Sequence, residues 1–187
     1  ANNSVAYTEK PDPGIFMKEW LSLYESKSGE RGIFSRASAQ KKAAENGRRE
    51  SNWDFGTNPC SEIILRPNQF CNLTEIVVRA GDTINTLTRK IKVATLLGTI
   101  QSTFTNFGYL RKVWQDNTEE ERLLGVSLTG IMDSELLNGR ETGLAKTLEK
   151  LKKVAVDCNK EYAEKFNINQ STAITCVKPS GTVSQLV

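Results

Sequence analysis

The chain has 187 residues, of which 38% are hydrophobic and 25% are charged, and its formal net charge is +3. This length and composition suffice for one sizeable domain with a normal core, and they exclude a disordered chain. Basic and acidic residues are interspersed, so we expect no nucleic-acid partner. No long apolar run and no signal-like N-terminus occurs, so we expect no membrane partner and a cytoplasmic location.

The residue types present limit the chemistry that this chain can perform. It contains no histidine, which excludes Ser/His/Asp and Cys/His catalysis and the commonest zinc arrangements within the chain, and we expect no metal site. Its four cysteines, Cys60, Cys71, Cys158 and Cys176, are too few and too scattered for a secreted disulfide scaffold. Catalysis would rest on Cys, Asp, Glu, Lys, Tyr or backbone groups.

Apolar residues at helical spacing, or acidic residues suited to a helix N-terminus, predict four helices. They cover residues 14–28, residues 83–103, a segment that begins at 118–121, and residues 142–166. Asp82 is predicted to cap the second of these helices. The polar segment 35–50 is predicted to be a short surface helix or a loop.

Two strands are predicted, at residues 71–79 and 171–177. Residues 51–71 are predicted to be irregular backbone, because they are rich in Asn, Gly and Pro, and a loop of this length in a compact domain is often functional. A further helix is expected after residue 181. Strands separated by helices imply an α/β fold, although two strands are too few to close a sheet.

Residues 58–62 read Asn-Pro-Cys-Ser-Glu and place three chemically active side chains in this loop. Pro59 favours extended backbone at Asn58, and alternation along an extended backbone would send Asn58, Cys60 and Glu62 to the same side. Such a triplet could bind a polyhydroxylated ligand, do redox or covalent chemistry, and remove a proton. The alternative is a polar loop with one buried, inert cysteine.

This motif resembles the finger loop of ribonucleotide reductases, whose fingerprint is Asn-x-Cys-x-Glu. Cys71 follows Cys60 by eleven residues, a spacing similar to that of the monomeric, cobalamin-dependent (class II) triphosphate reductases. Class I reductases usually have a longer interval. The resemblance therefore favours class II.

A second motif, residues 178–184, follows a predicted strand and precedes an expected helix. Backbone N–H groups and hydroxyls at such a place can hold a phosphate, although the same residues also form ordinary turns and caps. In reductases a similar Pro-Ser-x-Thr segment cradles the substrate phosphates. The resemblance implies that role for Pro179, Ser180, Gly181, Thr182, Val183 and Ser184. Between the two motifs, residues 122–130 resemble a closely packed helix of the same family.

The resemblance also implies a mechanism. Cys60 would carry a thiyl radical that abstracts the ribose 3′ hydrogen, Glu62 would accept the 3′-OH proton, and Asn58 would orient the ribose hydroxyls. Cys71 would be half of a redox pair whose partner, in the family, lies upstream of the finger loop, where this chain has no cysteine. Cys158 and Cys176 are predicted to be core residues. The implied cofactor is adenosylcobalamin and the implied reductant a thioredoxin-type protein.

The family fold is a ten-stranded α/β barrel around a central finger loop. The chain, residues 1–187, would be a fragment of that catalytic barrel, with the finger loop at about 56–66 and the phosphate-binding turn at 178–184. It starts without Met and stops inside the apolar segment 183–187, which predicts a piece of a longer protein. We expect the isolated chain to be inactive and to self-associate through uncovered edges.

The implied function is reduction of ribonucleoside triphosphates to 2′-deoxyribonucleotides for DNA synthesis. Three alternatives remain open. The parent could be a class I diphosphate reductase, which needs a separate metal-radical subunit, or a catalytically silent nucleotide-binding module. A small thiol oxidoreductase that pairs Cys60 with Cys71 is the least favoured, because the chain has no Cys-x-x-Cys motif.

Overall fold

The computed structural model describes residues 4–29, 32–140 and 142–179. The chain divides into two compact units, Ala1–Pro67 and Asn68–Val187. We call them the first and the second unit. Among the described residues no helix is both long and apolar enough to cross a bilayer.

The first unit contains two helices and two small sheets. Its elements are β1 (Val5–Tyr7), α1 (Pro13–Ser26), β2 (Ile33–Ser35), α2 (Arg36–Ala44), β3 (Gly56–Thr57) and β4 (Ile64–Leu65). Strands β1 and β2 pair in parallel, and β3 and β4 form an antiparallel hairpin. Helix α1 begins where predicted because the Asp12 carboxylate accepts hydrogen bonds from the Gly14 and Ile15 backbone N–H groups.

The base of the β3–β4 hairpin is packed on α2. Phe55 is fully buried against Ala39 and Ala43 of that helix. The Arg49 guanidinium lies 4.7 Å from the centre of the Phe55 ring and donates a hydrogen bond of 2.9 Å to the Ile64 carbonyl. One cation therefore joins the buried ring to the strand β4, which fixes the base of the hairpin.

The second unit is built on a pair of parallel strands. Its elements are β5 (Asn72–Val77), α3 (Ile84–Gln101), α4 (Lys112–Glu121), β6 (Leu124–Thr129), a single 3₁₀ turn (Ile131–Asp133) and α5 (Leu144–Phe166). Strands β5 and β6 pair in parallel from Asn72↔Leu124 to Val77↔Thr129. Thr175 adds a parallel bridge to Val126 on the other side of β6. A parallel pair with helices in the connection is an α/β unit.

Alternation along β5 and β6 divides the sheet into two faces. One face packs on α3 and α5 and holds the main core, whose buried members include Ile76, Val78, Leu87, Ile91, Leu124, Val126, Leu151 and Ala155. The opposite face carries the residues between them, including Glu75 and Ser127, which are register partners on adjacent strands. The core face therefore determines which polar side chains meet on the other side.

Two predictions of secondary structure are wrong in the second unit. The acidic residues 119–121 end α4 rather than begin a helix, and Arg122 follows them in the left-handed conformation. Residues 122–130 do not form a helix, because most of them belong to β6. Leu124, Val126 and Leu128 alternate with smaller residues at period two, which is the pattern of a strand.

Asp82 was predicted to cap α3, and this too is wrong. Thr83 is the N-cap, since its hydroxyl accepts a hydrogen bond from the Thr86 backbone N–H. Asp82 instead pairs with Lys90 and accepts hydrogen bonds from the Arg79 backbone N–H and the Thr86 hydroxyl. The hydrogen bond from Lys90, more than any other contact, lowers the pKa of Asp82.

The strand at 71–79 and the helices at 14–28, 83–103 and 142–166 are confirmed, with small shifts of their ends. The strand predicted at 171–177 is wrong, because that segment forms only the single bridge of Thr175 to Val126. Segment 35–50 contains a helix, α2, and segment 51–71 contains the unpredicted strands β3 and β4. Strands β1, β2 and β6 were also not predicted. The α/β class is confirmed, whereas the ten-stranded barrel stays a prediction, because each sheet among the described residues has two strands.

A buried amide links α3, α5 and the segment that follows α5. Asn159 is 1% exposed, and its Nδ2 donates hydrogen bonds of 3.0 Å to the Thr99 and Ser171 hydroxyls. Its Oδ1 accepts a hydrogen bond of 3.0 Å from the Ser171 backbone N–H. Every hydrogen-bonding group of this amide is turned to neighbouring elements, so it holds the segment after α5 in place.

We expect Asn159→Ala to lower the free energy of unfolding by about 2 kcal/mol, because the buried Ser171 N–H would lose its acceptor and the Thr99 and Ser171 hydroxyl oxygens would lose their donor. Urea denaturation followed by circular dichroism would measure the change. Lys153→Ala on the same helix removes an exposed ion pair with Asp157 and should cost less than about 0.5 kcal/mol. Equal effects of the two substitutions would contradict the structural role of Asn159.

Candidate active site

Cys60 lies in a tight turn at the tip of the β3–β4 hairpin. The Ser61 backbone N–H donates a hydrogen bond of 3.0 Å to the Asn58 carbonyl, and the Asn58 N–H donates one of 3.4 Å to the Ile63 carbonyl. The Asn58 Oδ1 accepts a further hydrogen bond of 3.0 Å from the Ile63 N–H. Asn58 therefore closes the loop through both its backbone and its side chain.

The prediction of extended backbone through residues 58–62 is wrong. Pro59 takes the second position of the turn, where its fixed φ is favourable, and Ser61 has a left-handed φ of 63°. Cys60, at the third position, is exposed. The thiol is therefore exposed because Cys60 lies in a turn. Alternation along an extended backbone cannot be used to place Asn58, Cys60 and Glu62 on the same side.

Glu62 is half-buried on this loop. Its Oε2 is shielded from solvent and has no hydrogen-bond partner among the described residues. A shielded carboxylate oxygen without a donor is costly, and such groups in native proteins call for an explanation. The arrangement leaves this oxygen free to accept a proton from a bound molecule.

A cavity with both apolar and polar lining residues lies beside the hairpin in the first unit. It has a volume of about 350 Å³ and its lining includes Ser35, Ser38, Lys42, Thr57, Ser61 and Ile64. Thr57 and Ser61 also contact each other through their hydroxyls at 3.3 Å. The cavity therefore brings several hydroxyls and one ammonium group to the residue next to Cys60.

The other cysteines occupy different environments in the second unit. Cys71 is half-buried immediately before β5, and none of the four cysteines, all within the described residues, forms a disulfide. Cys158 is 4% exposed, and burial raises the pKa of its thiol, so its prediction as a core residue is confirmed. Cys176 is half-buried and not in the core cluster, so the same prediction for Cys176 is wrong.

The predicted phosphate-binding turn is described only at its start. Lys178 is half-buried and Pro179 is exposed. Ser180, Gly181, Thr182, Val183 and Ser184, together with the expected helix after 181, lie outside the described residues. The Lys178 N–H donates a hydrogen bond of 3.1 Å to the Ser127 hydroxyl, and its ammonium group lies 3.6 Å from the Glu75 carboxylate.

Curated proteins similar to this chain carry one name. An adenosylcobalamin-dependent ribonucleoside-triphosphate reductase of Lactobacillus acidophilus is 32% identical over 158 residues, which cover 70% of this chain and 21% of that protein. The Lactobacillus gasseri protein of the same name is 31% identical over 156 residues with the same coverage. That of Lacticaseibacillus paracasei is 29% identical over an alignment covering 100% of this chain and 28% of that protein. This chain is a relative of these reductases.

A solved structure agrees with this relationship. The crystal structure of a B-12 dependent (class II) ribonucleotide reductase matches 98% of this chain and 33% of its own, with a TM-score of 0.62 and 21% identity. At that identity the likeness shows the fold alone, and it supports the α/β class. No protein-family model matches the chain. The similarity to these curated reductases confirms the resemblance inferred from the two motifs. The chain spans about a fifth to just over a quarter of their length.

Sequence reasoning missed the polar residues that contact Lys178. Glu75 and Ser127 lie on β5 and β6 and face away from the core. The signal that could have found Ser127 is the period-two alternation of residues 124–129, which also identifies β6. No comparable signal joins Glu75 to Lys178, because the two are 103 residues apart (178 − 75).

Proposed function

We propose that this chain carries the radical-bearing loop of a class II ribonucleotide reductase, which reduces ribonucleoside triphosphates to 2′-deoxyribonucleotides for DNA synthesis. The observation that carries the proposal is the hairpin turn at 58–63, which exposes Cys60 two residues before a shielded, unpartnered Glu62 oxygen. Its setting in a relative of the triphosphate reductases supports this substrate class.

The chain's residues fit adenosylcobalamin in one respect, the exposure of the Cys60 thiol, which a large planar group can approach. The cavity beside the hairpin, about 350 Å³, is at the small end of ligand sites. Parts of the reductase beyond this chain would therefore hold most of the cofactor. When bound, adenosylcobalamin supplies the radical that removes the hydrogen atom from Cys60.

The loop's own groups account for hydrogen-atom transfer, proton acceptance and orientation at the ribose. The Cys60 thiyl takes the 3′ hydrogen atom, and the Glu62 carboxylate accepts the 3′-OH proton, which it returns when the product's 3′-OH re-forms. The 2′-OH leaves as water with one of the two protons that the thiol pair supplies. Because the Asn58 Oδ1 is used by the loop backbone, the Asn58 Nδ2 hydrogens are the groups that would orient the ribose hydroxyls. Cys60 regains its hydrogen atom when the product forms.

Reduction also consumes two electrons and two protons. Cys71 and a second thiol would supply them and close to a disulfide, and a thioredoxin-type protein would reduce that disulfide again. Residues 179–184 would hold the substrate phosphates through backbone N–H groups and hydroxyls. Both roles rest on the resemblance and stay predictions.

A cofactor assay tests the proposed function. The intact protein that contains this chain should convert CTP to dCTP when adenosylcobalamin and a thioredoxin system are present, and should make none without the cofactor. A requirement for a separate metal-radical subunit, with CDP preferred, would favour the class I alternative. Absence of any deoxynucleotide under either condition would favour a silent nucleotide-binding module.

The behaviour of the chain by itself also stays a prediction. Helix α1 exposes several large apolar side chains, namely Ile15, Met17, Trp20, Leu21 and Tyr24. Exposed apolar surface of this kind favours association with other protein surfaces. We expect the isolated chain to self-associate and to lack reductase activity.

A further inference from the structure

The hairpin that carries Cys60 is too short to keep its shape by itself. Its strands β3 and β4 are joined by the register pairs Gly56↔Leu65 and Thr57↔Ile64. An isolated two-stranded hairpin is marginally stable at best in water. The position of the turn at its tip therefore depends on contacts between the strands and the rest of the first unit.

Helix α2 supplies two of these contacts from one of its faces. Arg36 and Gln40 are one helical turn apart, so their side chains lie on the same side of α2. The Arg36 Nε donates a hydrogen bond of 2.9 Å to the Phe55 carbonyl, and the Gln40 Nε2 donates one of 3.2 Å to the Trp53 carbonyl. Both carbonyls belong to the segment that leads into β3, so α2 holds this strand at its start.

Arg49, which follows α2 along the chain, holds the other strand. Its Nη1 donates a hydrogen bond of 2.9 Å to the carbonyl of Ile64, the first residue of β4. Its guanidinium also lies 4.7 Å from the centre of the Phe55 ring, and Arg49 is only 8% exposed. Shielding of a cation is costly, and contact with the carbonyl and with the ring face offsets part of that cost. Arg49 therefore joins the two strands at the base of the hairpin.

The contacts at the base and those at the tip have different effects on Cys60. Hydrogen bonds from the Ser61 and Ile63 backbone N–H groups to Asn58 close the turn and fix its internal shape. The contacts at the base fix where the whole turn lies relative to α2. A reacting group that is misplaced by about 1 Å can react about a hundredfold more slowly, so the base contacts bear directly on the use of the thiol.

We propose that Arg36, Gln40 and Arg49 are positioning residues, which hold both strands of the hairpin and thereby set the place of the Cys60 thiol. We call these three the clamp residues. They act through backbone carbonyls and through the Phe55 ring, and they take no part in the chemical steps. The proposal rests on the proposed function, since that function assigns the thiol its reaction.

Substitutions of Arg49 test the proposal in the intact protein. Arg49→Met removes the donor and the charge, and we expect kcat for CTP reduction to fall about 10- to 100-fold while the KM changes less than about threefold. Arg49→Lys keeps a cation for the Phe55 ring and a donor for the Ile64 carbonyl, and should restore kcat to within about fivefold of wild type. Lys41→Met, which removes an exposed cation from α2, should leave both constants unchanged.

Hydrogen exchange in the intact protein separates the clamp from the proposed function, because it requires no nucleotide to be reduced. The Ser61 and Ile63 amides should exchange at least about fivefold faster in Arg49→Met than in wild type, while the amides of α5 keep their wild-type rates. Arg36→Met and Gln40→Met each remove one hydrogen bond at the base and should speed the same amides by smaller factors. These two variants also test the proposal if Arg49→Met does not fold.

Unchanged exchange of the Ser61 and Ile63 amides in these variants would overturn the clamp. Faster exchange together with a normal kcat would overturn the positioning role, because the thiol would then react equally well without the clamp. A raised KM with a normal kcat in Arg49→Met would overturn it too, because it would make Arg49 a group that binds the substrate. If the wild-type protein reduces no nucleotide, the proposed function fails, and the exchange rates alone decide whether the clamp residues hold the hairpin.

Discussion

Cys60→Ala should abolish nucleotide reduction by the intact protein, with a loss of at least about a thousandfold in kcat, since removal of a group on which every turnover depends leaves only residual rates. The thiol is the group that the turn exposes, and alanine cannot carry the radical. Cys60→Ser should lose as much activity, because the O–H bond of a hydroxyl is much stronger than the S–H bond. The measured quantity is the amount of dCTP formed per enzyme molecule per unit time in the presence of adenosylcobalamin and a thioredoxin system.

Cys158→Ala is the matched control for this prediction. It also removes one sulfur atom, but from a thiol buried between α5 and α3, where the Cys158 Sγ contacts the Lys92 carbonyl. At temperatures below the melting temperature of the Cys158→Ala variant, its activity should stay within about twofold of wild type. The two thiols should also differ in alkylation by iodoacetamide, with Cys60 much faster, because Cys158 is buried and its pKa is raised. Full activity of Cys60→Ala would refute the central assignment.

Glu62→Gln should lower kcat about 10²- to 10⁴-fold, the range expected when a general base is lost. The substitution keeps the size of the side chain but removes the proton acceptor. Because the Glu62 Oε2 has no hydrogen-bond partner among the described residues, we expect stability to stay within about 0.5 kcal/mol of wild type. The KM for CTP should change less than about threefold. Steady-state kinetics and thermal denaturation would measure these quantities.

Glu50→Gln is the matched control for Glu62→Gln. Glu50 is exposed in the same unit, where its carboxylate accepts a hydrogen bond from the Trp53 indole, and its loss should leave kcat unchanged. Glu62→Asp keeps a carboxylate at a shorter reach and should recover part of the activity. Two results would contradict the role of Glu62: retention of more than a third of kcat in Glu62→Gln, or a fall in stability large enough to explain the loss.

The sequence predicted the helices with long apolar periods and the strand around Ile76, because packing against one core face imposes a regular pattern on the residues. It failed for β6, where Leu124, Val126 and Leu128 alternate over only a few residues and follow a run of acids that also suits a helix start. Two of the acids at 119–121 have tertiary roles instead, and one of them, Glu119, accepts a hydrogen bond from the Thr105 hydroxyl. Glu121 is fully buried and accepts a hydrogen bond from the Gln69 side chain.

The chemistry of the loop was more predictable than its backbone. Asn58, Cys60 and Glu62 were identified from residue types and from a resemblance, and neither depends on conformation. The shape of the loop was misjudged, because Pro59 suits extended backbone before it and also the second position of a turn. Hydrogen bonds between Asn58 and Ile63 stabilise the turn rather than the extended backbone. No local pattern in the sequence predicts these hydrogen bonds.

The left-handed backbone of Ser61, with φ of 63°, limits which residues the chain can tolerate between Cys60 and Glu62. Gly, Asn and Asp adopt this conformation at little cost, whereas a residue branched at Cβ is strained there by about 1–2 kcal/mol. The residue type at the second x of Asn-x-Cys-x-Glu, position 61, is therefore restricted in this protein. A Val or Ile at that position would change where the neighbouring thiol points without altering any group that takes part in the reaction.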